Sequence, residues 1–163
     1  MADFYFSNTV RPRRSLLSVP AINLRALAKL TSLDCDGVIF DLEDSVAPDM
    51  KDEARANLLT VFEQTPRPAY ETMIRINPLS TEAGKRDLIA ALTCAADAIL
   101  LPKVEQLSHI QDVADALADA DAPESLKIWA MIETPKGVLN VASIAEASHT
   151  QGSRLGGFVV GLN

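Results

Sequence analysis

Six short apolar runs, each bounded by turn residues, alternate with five longer stretches of helical period along the 163 residues of this chain. No other feature constrains the fold as much. Apolar runs covered on both faces, and separated by a helix's length of amphipathic sequence, are joined most simply as parallel strands with crossover helices. The runs are Ser15 to Pro20, Gly37 to Glu43, Thr72 to Asn77, Ala98 to Pro102, Ile128 to Glu133 and Gly157 to Gly161. Stretches such as GVIFDL, AILL and IWAMI show the continuous apolar character of strands buried on both sides. The intervening pattern predicts helices over Asn23–Leu33, Asp49–Gln64, Thr81–Ala95, Leu107–Ala118 and Lys136–Ala147. Pro48-Asp49 and Ser80-Thr81-Glu82 supply the proline, hydroxyl and acidic groups that suit helix starts.

At this length the chain is one domain. Residues 1–12 and the turn ADADAPES around Pro123 are expected to be its flexible parts. The last run, LGGFVVGLN, has no helix after it, so an apolar parallel edge is expected to lie uncovered. Two α/β architectures remain open at this point. One is a doubly wound sheet; the other is an eight-stranded barrel truncated after its sixth strand.

Charge excludes some partners. The formal net charge of −7 provides no basic field to gather nucleic acid or anionic lipid. No run of about 18 apolar residues, the length a bilayer-crossing helix needs, is found in the sequence. The start MADFYFSNTVRPRR places its charges after a short apolar stretch, the reverse of a secretory signal, and a cytoplasmic chain is expected. Cys35 and Cys94 are too few for a disulfide framework and are expected to be buried, inert thiols.

Polar residues cluster where the apolar runs end: Asp41, Glu43 and Asp44 at the second, Arg75 and Asn77 at the third, Lys103 and Glu105 at the fourth, Glu133 and Thr134 at the fifth. In parallel α/β folds the C-terminal strand ends form the mouth of the active site, so these groups converge. Glu133 suits a hard cation such as Mg²⁺, or else a structural ion pair. Three carboxylates within four residues repel unless a metal, its waters or Arg75 shares them; the alternative is a solvated acidic loop. Arg75 sits between apolar residues, where a guanidinium needs an anion, either a substrate oxygen or a pair with Glu43 or Asp44. Lys103 is a candidate for Schiff-base formation or a phosphate contact, but its acidic neighbours keep the amine charged and argue against the former. His109 and His149 read as surface or capping residues. GSRLGG lacks the order of a dinucleotide loop.

Taken together, RRSLLSVP, GVIFDLEDSVAPDMKDEAR, IRINPLSTEAGKRDL, AILLPKVE, MIETPKGVLN and FVVGLN resemble, in order and spacing, the citrate lyase β-subunit-like family, which includes malyl-CoA and citramalyl-CoA lyases. The resemblance covers residues 13–163 and implies the N-terminal part of a TIM-barrel lyase domain. It implies a Mg²⁺-dependent carbon–carbon lyase that cleaves a 3-hydroxyacyl thioester, carried on CoA or acyl carrier protein, through an enolate. It further implies Glu133 as a metal ligand and Arg75 as the residue that binds substrate oxygen and steadies the enolate. Glu43 and Asp44 would hold metal-bound waters and orient Arg75, with Arg14 and Lys103 as further substrate-binding residues. A homo-oligomer, trimeric or hexameric, is implied as well.

Two departures from the family pattern stand out. Pro20 is followed by Ala21-Ile22-Asn23 where the family has Pro-Gly-Asn. The family's second metal ligand is an aspartate just beyond the glycine and asparagine that end the sixth strand, and this sequence ends at Asn163. The expectation is therefore a segment of a longer enzyme. A polypeptide ending there would bind Mg²⁺ poorly and lack lyase activity. Thioester hydrolysis and the reverse condensation use the same enolate stabilisation. A non-catalytic scaffold built on a degenerate barrel is the alternative of a different class.

Overall fold

The structure, a computed structural model, describes residues 13–65, 68–150 and 152–161. The expected flexible segment 1–12 lies outside the described residues. Strands β1 (Leu16–Pro20), β2 (Gly37–Asp41), β3 (Glu71–Arg75), β4 (Ala98–Leu101), β5 (Lys127–Ile132) and β6 (Leu155–Val160) form one sheet. Helices α1 (Leu24–Leu27), α2 (Lys51–Gln64), α3 (Glu82–Cys94), α4 (Leu107–Asp119) and α5 (Pro135–Ala145) connect them in turn.

Every strand pair is parallel, and the spatial order equals the chain order. This order decides between the two architectures. A doubly wound sheet reverses direction at a switch point, whereas successive right-handed crossovers in one direction place all helices on one face and curl the sheet into a barrel wall. Six parallel strands make an arc of such a wall, not a closed barrel.

The core divides as that geometry requires. Val38, Phe40, Ile74, Ile99, Leu101, Ile128 and Ala130 face the helices in the larger cluster, where Leu58 and Phe62 of α2 and Ile110 and Leu117 of α4 meet them. The Phe40 and Phe62 rings lie 5.2 Å apart and seat α2 on the sheet. On the concave face Ile39, Met73, Ala98 and Leu100 form a second cluster with Trp129, Met131 and Val159. At the lower end of the same face Arg13 donates to Glu71 at 2.5 and 2.8 Å, and its guanidinium lies 4.9 Å from the centre of the Trp129 ring.

Three local expectations need correction. The first helix does not run to Leu33: α1 stops at Leu27 and a 3₁₀ turn covers Leu30–Ser32. Thr31 and Ser32 are weak helix formers, and the Ser32 hydroxyl bonds back to the Lys29 carbonyl. The ADADAPES turn is tied down. Asp121 takes φ +49°, the Ala122 N–H donates to Leu117, and Arg154 binds the Ala122 and Pro123 carbonyls. This is a Schellman ending with a guanidinium clamp.

The third correction concerns the thiols. Cys94 is buried and burial pushes its thiol up to about 12, but Cys35 is only half-buried. A thiolate-selective reagent at pH 8 is expected to label Cys35 in the folded protein and Cys94 only after denaturation. Equal labelling rates in the folded state would contradict the packing around Cys94.

Among the described residues no helix is long and apolar enough to cross a membrane.

Candidate active site

Register builds the centre of the site. Asp41 and Arg75 are direct partners across β2 and β3, both on the concave face at its C-terminal rim. Arg75 donates from Nε to Asp41 Oδ1 at 2.7 Å and from Nη2 to Oδ2 at 2.5 Å. Asp41 is 1% exposed. It also accepts from the Glu43 N–H at 2.8 Å, the Ser45 N–H at 3.3 Å and the Ser45 hydroxyl. Burial alone would push the Asp41 carboxyl up, but the Arg75 and Ser45 bonds outweigh it and hold it below its ordinary value. The same bond to Asp41 raises Arg75, which stays a cation.

Glu43 lies two residues beyond Asp41, buried on the same face. Its Oε2 is 3.5 Å from Arg75 Nη1 yet has no hydrogen bond, the one such buried side-chain atom among the described residues. Burial and the nearby Asp44 raise the Glu43 carboxyl, with Lys103 opposing them. Lys103 Nζ lies 2.5 Å from Glu43 Oε1 and 3.0 Å from both oxygens of Asp44. The bond to Lys103 lowers Asp44, and the bond to Glu43 raises Lys103.

Lys103 also donates its backbone N–H to Glu133 Oε1 at 2.9 Å, from a left-handed backbone at φ +51°. One residue therefore links three of the carboxylates of the mouth, Glu43, Asp44 and Glu133. Glu133 follows β5, and Thr134 behind it caps α5 by accepting from the Gly137 N–H. Gly137 is required by close approach: a Cβ there would meet the Val104 carbonyl at 2.5 Å. Beside Lys103 a cavity of about 290 Å³ opens between the loop after β3 and helix α4, lined by Pro78, Leu79, Leu101, Pro102, Val104 and His109 among others.

Of the residues expected at the site, Arg75, Glu43, Asp44, Lys103 and Glu133 come together at the rim. Arg14 does not. It precedes β1, at the opposite end of the sheet, where its guanidinium and backbone N–H bind Asp36 and hold that carboxyl far below its usual range. Substrate binding by Arg14 at the mouth is incompatible with this position. Asp41 is the carboxylate directly paired with Arg75, since it stands opposite it across the strands, while Glu43 lies one step above with Oε2 3.5 Å from Nη1. Alternation along β2 signals that Asp41 and Glu43 share a face; the strand register that selects Asp41 is not written in either strand alone. The paired ammonium of Lys103 is unsuited to Schiff-base formation.

Among the described residues no three His, Cys, Asp or Glu side chains gather as a cage for a metal. The donor set still fits Mg²⁺, which accepts one or two carboxylates with waters filling its other positions. Four carboxylates, Asp41, Glu43, Asp44 and Glu133, face two cations, Arg75 and Lys103, and one of those carboxylates keeps a buried oxygen without a hydrogen bond.

An arc of parallel strands with a carboxylate-rich, arginine-bearing rim is part of the wall of an α/β barrel, with its charged groups gathered at the C-terminal mouth. Residues 14–159 match the HpcH/HpaI aldolase/citrate lyase family, and the chain belongs to it. It is 41% identical over 157 residues to the (3S)-malyl-CoA thioesterase of Cereibacter sphaeroides, covering 96% of this chain and 51% of that protein. The citrate lyase subunit beta of Escherichia coli is 36% identical over 146 residues, 85% of this chain and 47% of its own. Among solved structures, the citrate lyase beta subunit of M. tuberculosis complexed with oxaloacetate and magnesium superposes with a TM-score of 0.68 at 28% identity, covering 91% of this chain and 59% of that one. The chain thus spans about half the length of the curated relatives it matches.

Proposed function

We propose that this chain carries the mouth of a Mg²⁺-dependent enzyme that cleaves the carbon–carbon bond of a 3-hydroxyacyl thioester on CoA or acyl carrier protein. The observation that carries the reading is Arg75, nearly buried, clamped by Asp41 and turning Nη1 toward the carboxylates at the rim. In the cleavage the C2–C3 bond breaks, the hydroxyl proton leaves as the oxo acid forms, and the electron pair passes to a thioester enolate that is then protonated at C2. Arg75 is suited to the oxygen that gains charge, since a fixed cation in a water-poor site needs no reorganisation. Bound Mg²⁺ would supply Lewis acidity toward carboxylate and hydroxyl oxygens. Glu133 would hold it, and Glu43 and Asp44 would hold its waters. The largely apolar cavity beside Lys103 suits part of the thioester's arm.

The name of the malyl-CoA thioesterase favours a second reading, in which the same oxygen stabilisation ends in hydrolysis of the thioester. Product analysis on the intact natural protein, supplied with malyl-CoA and Mg²⁺, separates the two. Glyoxylate with acetyl-CoA marks the lyase, and malate with free CoA thiol marks the hydrolase. A protein that releases neither product from malyl-CoA or citramalyl-CoA would be the scaffold. In the active protein Glu133→Gln is expected to raise the Mg²⁺ concentration for half-maximal rate about 10- to 100-fold, the scale set by losing a metal-site group. An unchanged Mg²⁺ response would remove Glu133 from the metal site.

A further inference from the structure

We propose that Asp41, locked by Ser45, is the positioning residue that decides which edge of the Arg75 guanidinium meets the substrate; this rests on the reading of Arg75 given above. Every acceptor site of the Asp41 carboxylate is engaged. Oδ1 takes Arg75 Nε–H and the Glu43 N–H, and Oδ2 takes Arg75 Nη2–H with the Ser45 N–H and hydroxyl. Little lone-pair capacity remains for a metal or a substrate, so Asp41 acts through Arg75.

The carboxylate is itself immobile. Three of its bonds come from residues 43 and 45, in the turn that follows β2, and fix its plane. A fixed carboxylate bound in parallel to Nε and Nη2 fixes the guanidinium plane in turn. Nη1 donates only a weak bond, to Met131 Sδ at 3.7 Å, and Glu43 Oε2, 3.5 Å from it, accepts none. The Nη1 end, rather than the Nε edge, is therefore the part left to reach a reacting oxygen. An orientation built in advance is what makes a donor effective in the transition state.

The test uses the intact natural protein, wild type, Asp41→Asn, Ser45→Ala and Arg75→Gln, and the double variant Asp41→Asn/Arg75→Gln. Turnover of malyl-CoA with Mg²⁺ is followed beside the Arg75 Nε–Hε signal in nuclear magnetic resonance. Asp41→Asn is expected to lower kcat about 100-fold, the scale of one misplaced oxyanion donor. Its KM should change less than about threefold, and its effect should shrink below about twofold when Arg75 is already glutamine. Hydrogen exchange at Nε should accelerate about tenfold or more in Asp41→Asn and by a smaller factor in Ser45→Ala, an exposed residue whose truncation spares the fold. The exchange arm reads the positioning even if Asp41→Asn fails to fold, through Ser45→Ala, and even if wild type turns over no thioester. Absence of wild-type turnover counts against the proposed function alone. Wild-type exchange at Nε in Ser45→Ala and in every folded Asp41 variant, or an equal kcat loss with and without Arg75, would overturn the positioning role.

Discussion

Replacement of Asp87 by alanine is expected to destabilise the fold by about 3–5 kcal/mol, the range for removing one partner of a buried ion pair. Asp87 lies on α3 and is fully buried. Its Oδ1 accepts from Arg55 Nη1 of α2 at 2.6 Å, and its Oδ2 accepts from the Asn77 N–H at 2.9 Å and from Asn77 Nδ2 at 2.6 Å. Asn77 Nδ2 in turn reaches the Leu42 carbonyl at 2.9 Å. One carboxylate thus joins two helices to the ends of β2 and β3, directly behind the mouth. Alanine there would leave a guanidinium whose side chain is 11% exposed with only the exposed Asp52 as its carboxylate partner, and would remove an acceptor of the buried Asn77 amide. Asp87→Asn keeps the shape and should lose less. Urea unfolding of the two variants checks this, and equal losses would mean that the charge alone, with no contribution from the retained shape, dominates at this position.

Arg75→Met is expected to be comparably destabilising at neutral pH and also to remove activity on the proposed thioester by about 10²–10³-fold. The pH dependence identifies the cause. In the wild type Asp41 is held below its ordinary pKa, so its contribution to stability is present above the unfolded value near 4 and is lost as pH falls through the lower folded one. Without Arg75 the Ser45 and Glu43 bonds still oppose burial, but the main lowering partner is gone, so Asp41 moves upward relative to the wild type. The variant therefore has less carboxylate stabilisation to lose on acidification than the wild type. The gap between the two proteins should be wide at pH 7.5 and narrow on acidification. A gap that does not change with pH would show that Asp41 is not the group left unpaired.

Much of the architecture can be read from residue pattern. Both-face burial in GVIFD and AILL produces the near-continuous apolar runs, and Thr81 and Thr134 cap α3 and α5 through hydroxyls visible in the sequence. The expected strands overrun at Glu43, Asn77 and Glu133 because those residues turn off the ladder into the rim, where side-chain partners replace sheet bonds, and at Pro102, which has no N–H to give a ladder. The family pattern locates Arg75, Glu43 and Glu133 by position. It does not reveal what holds them. The Asp41–Arg75 pair depends on strand register, the Asp87 network spans four elements, and Arg14 is separated from the mouth by the length of the sheet. Each is a long-range relation that local periodicity leaves open.

The backbone at Lys103 bears on how related sequences are expected to diverge. A left-handed φ of +51° favours glycine or asparagine, whereas the two carboxylates its amine binds favour a long cation. Conformation and chemistry thus select for different residues at one position. A lineage still using the mouth is under pressure to keep lysine despite the strain, while a lineage that has abandoned it is free to drift toward glycine. Position 103 is therefore a marker for separating working descendants of this scaffold from retired ones.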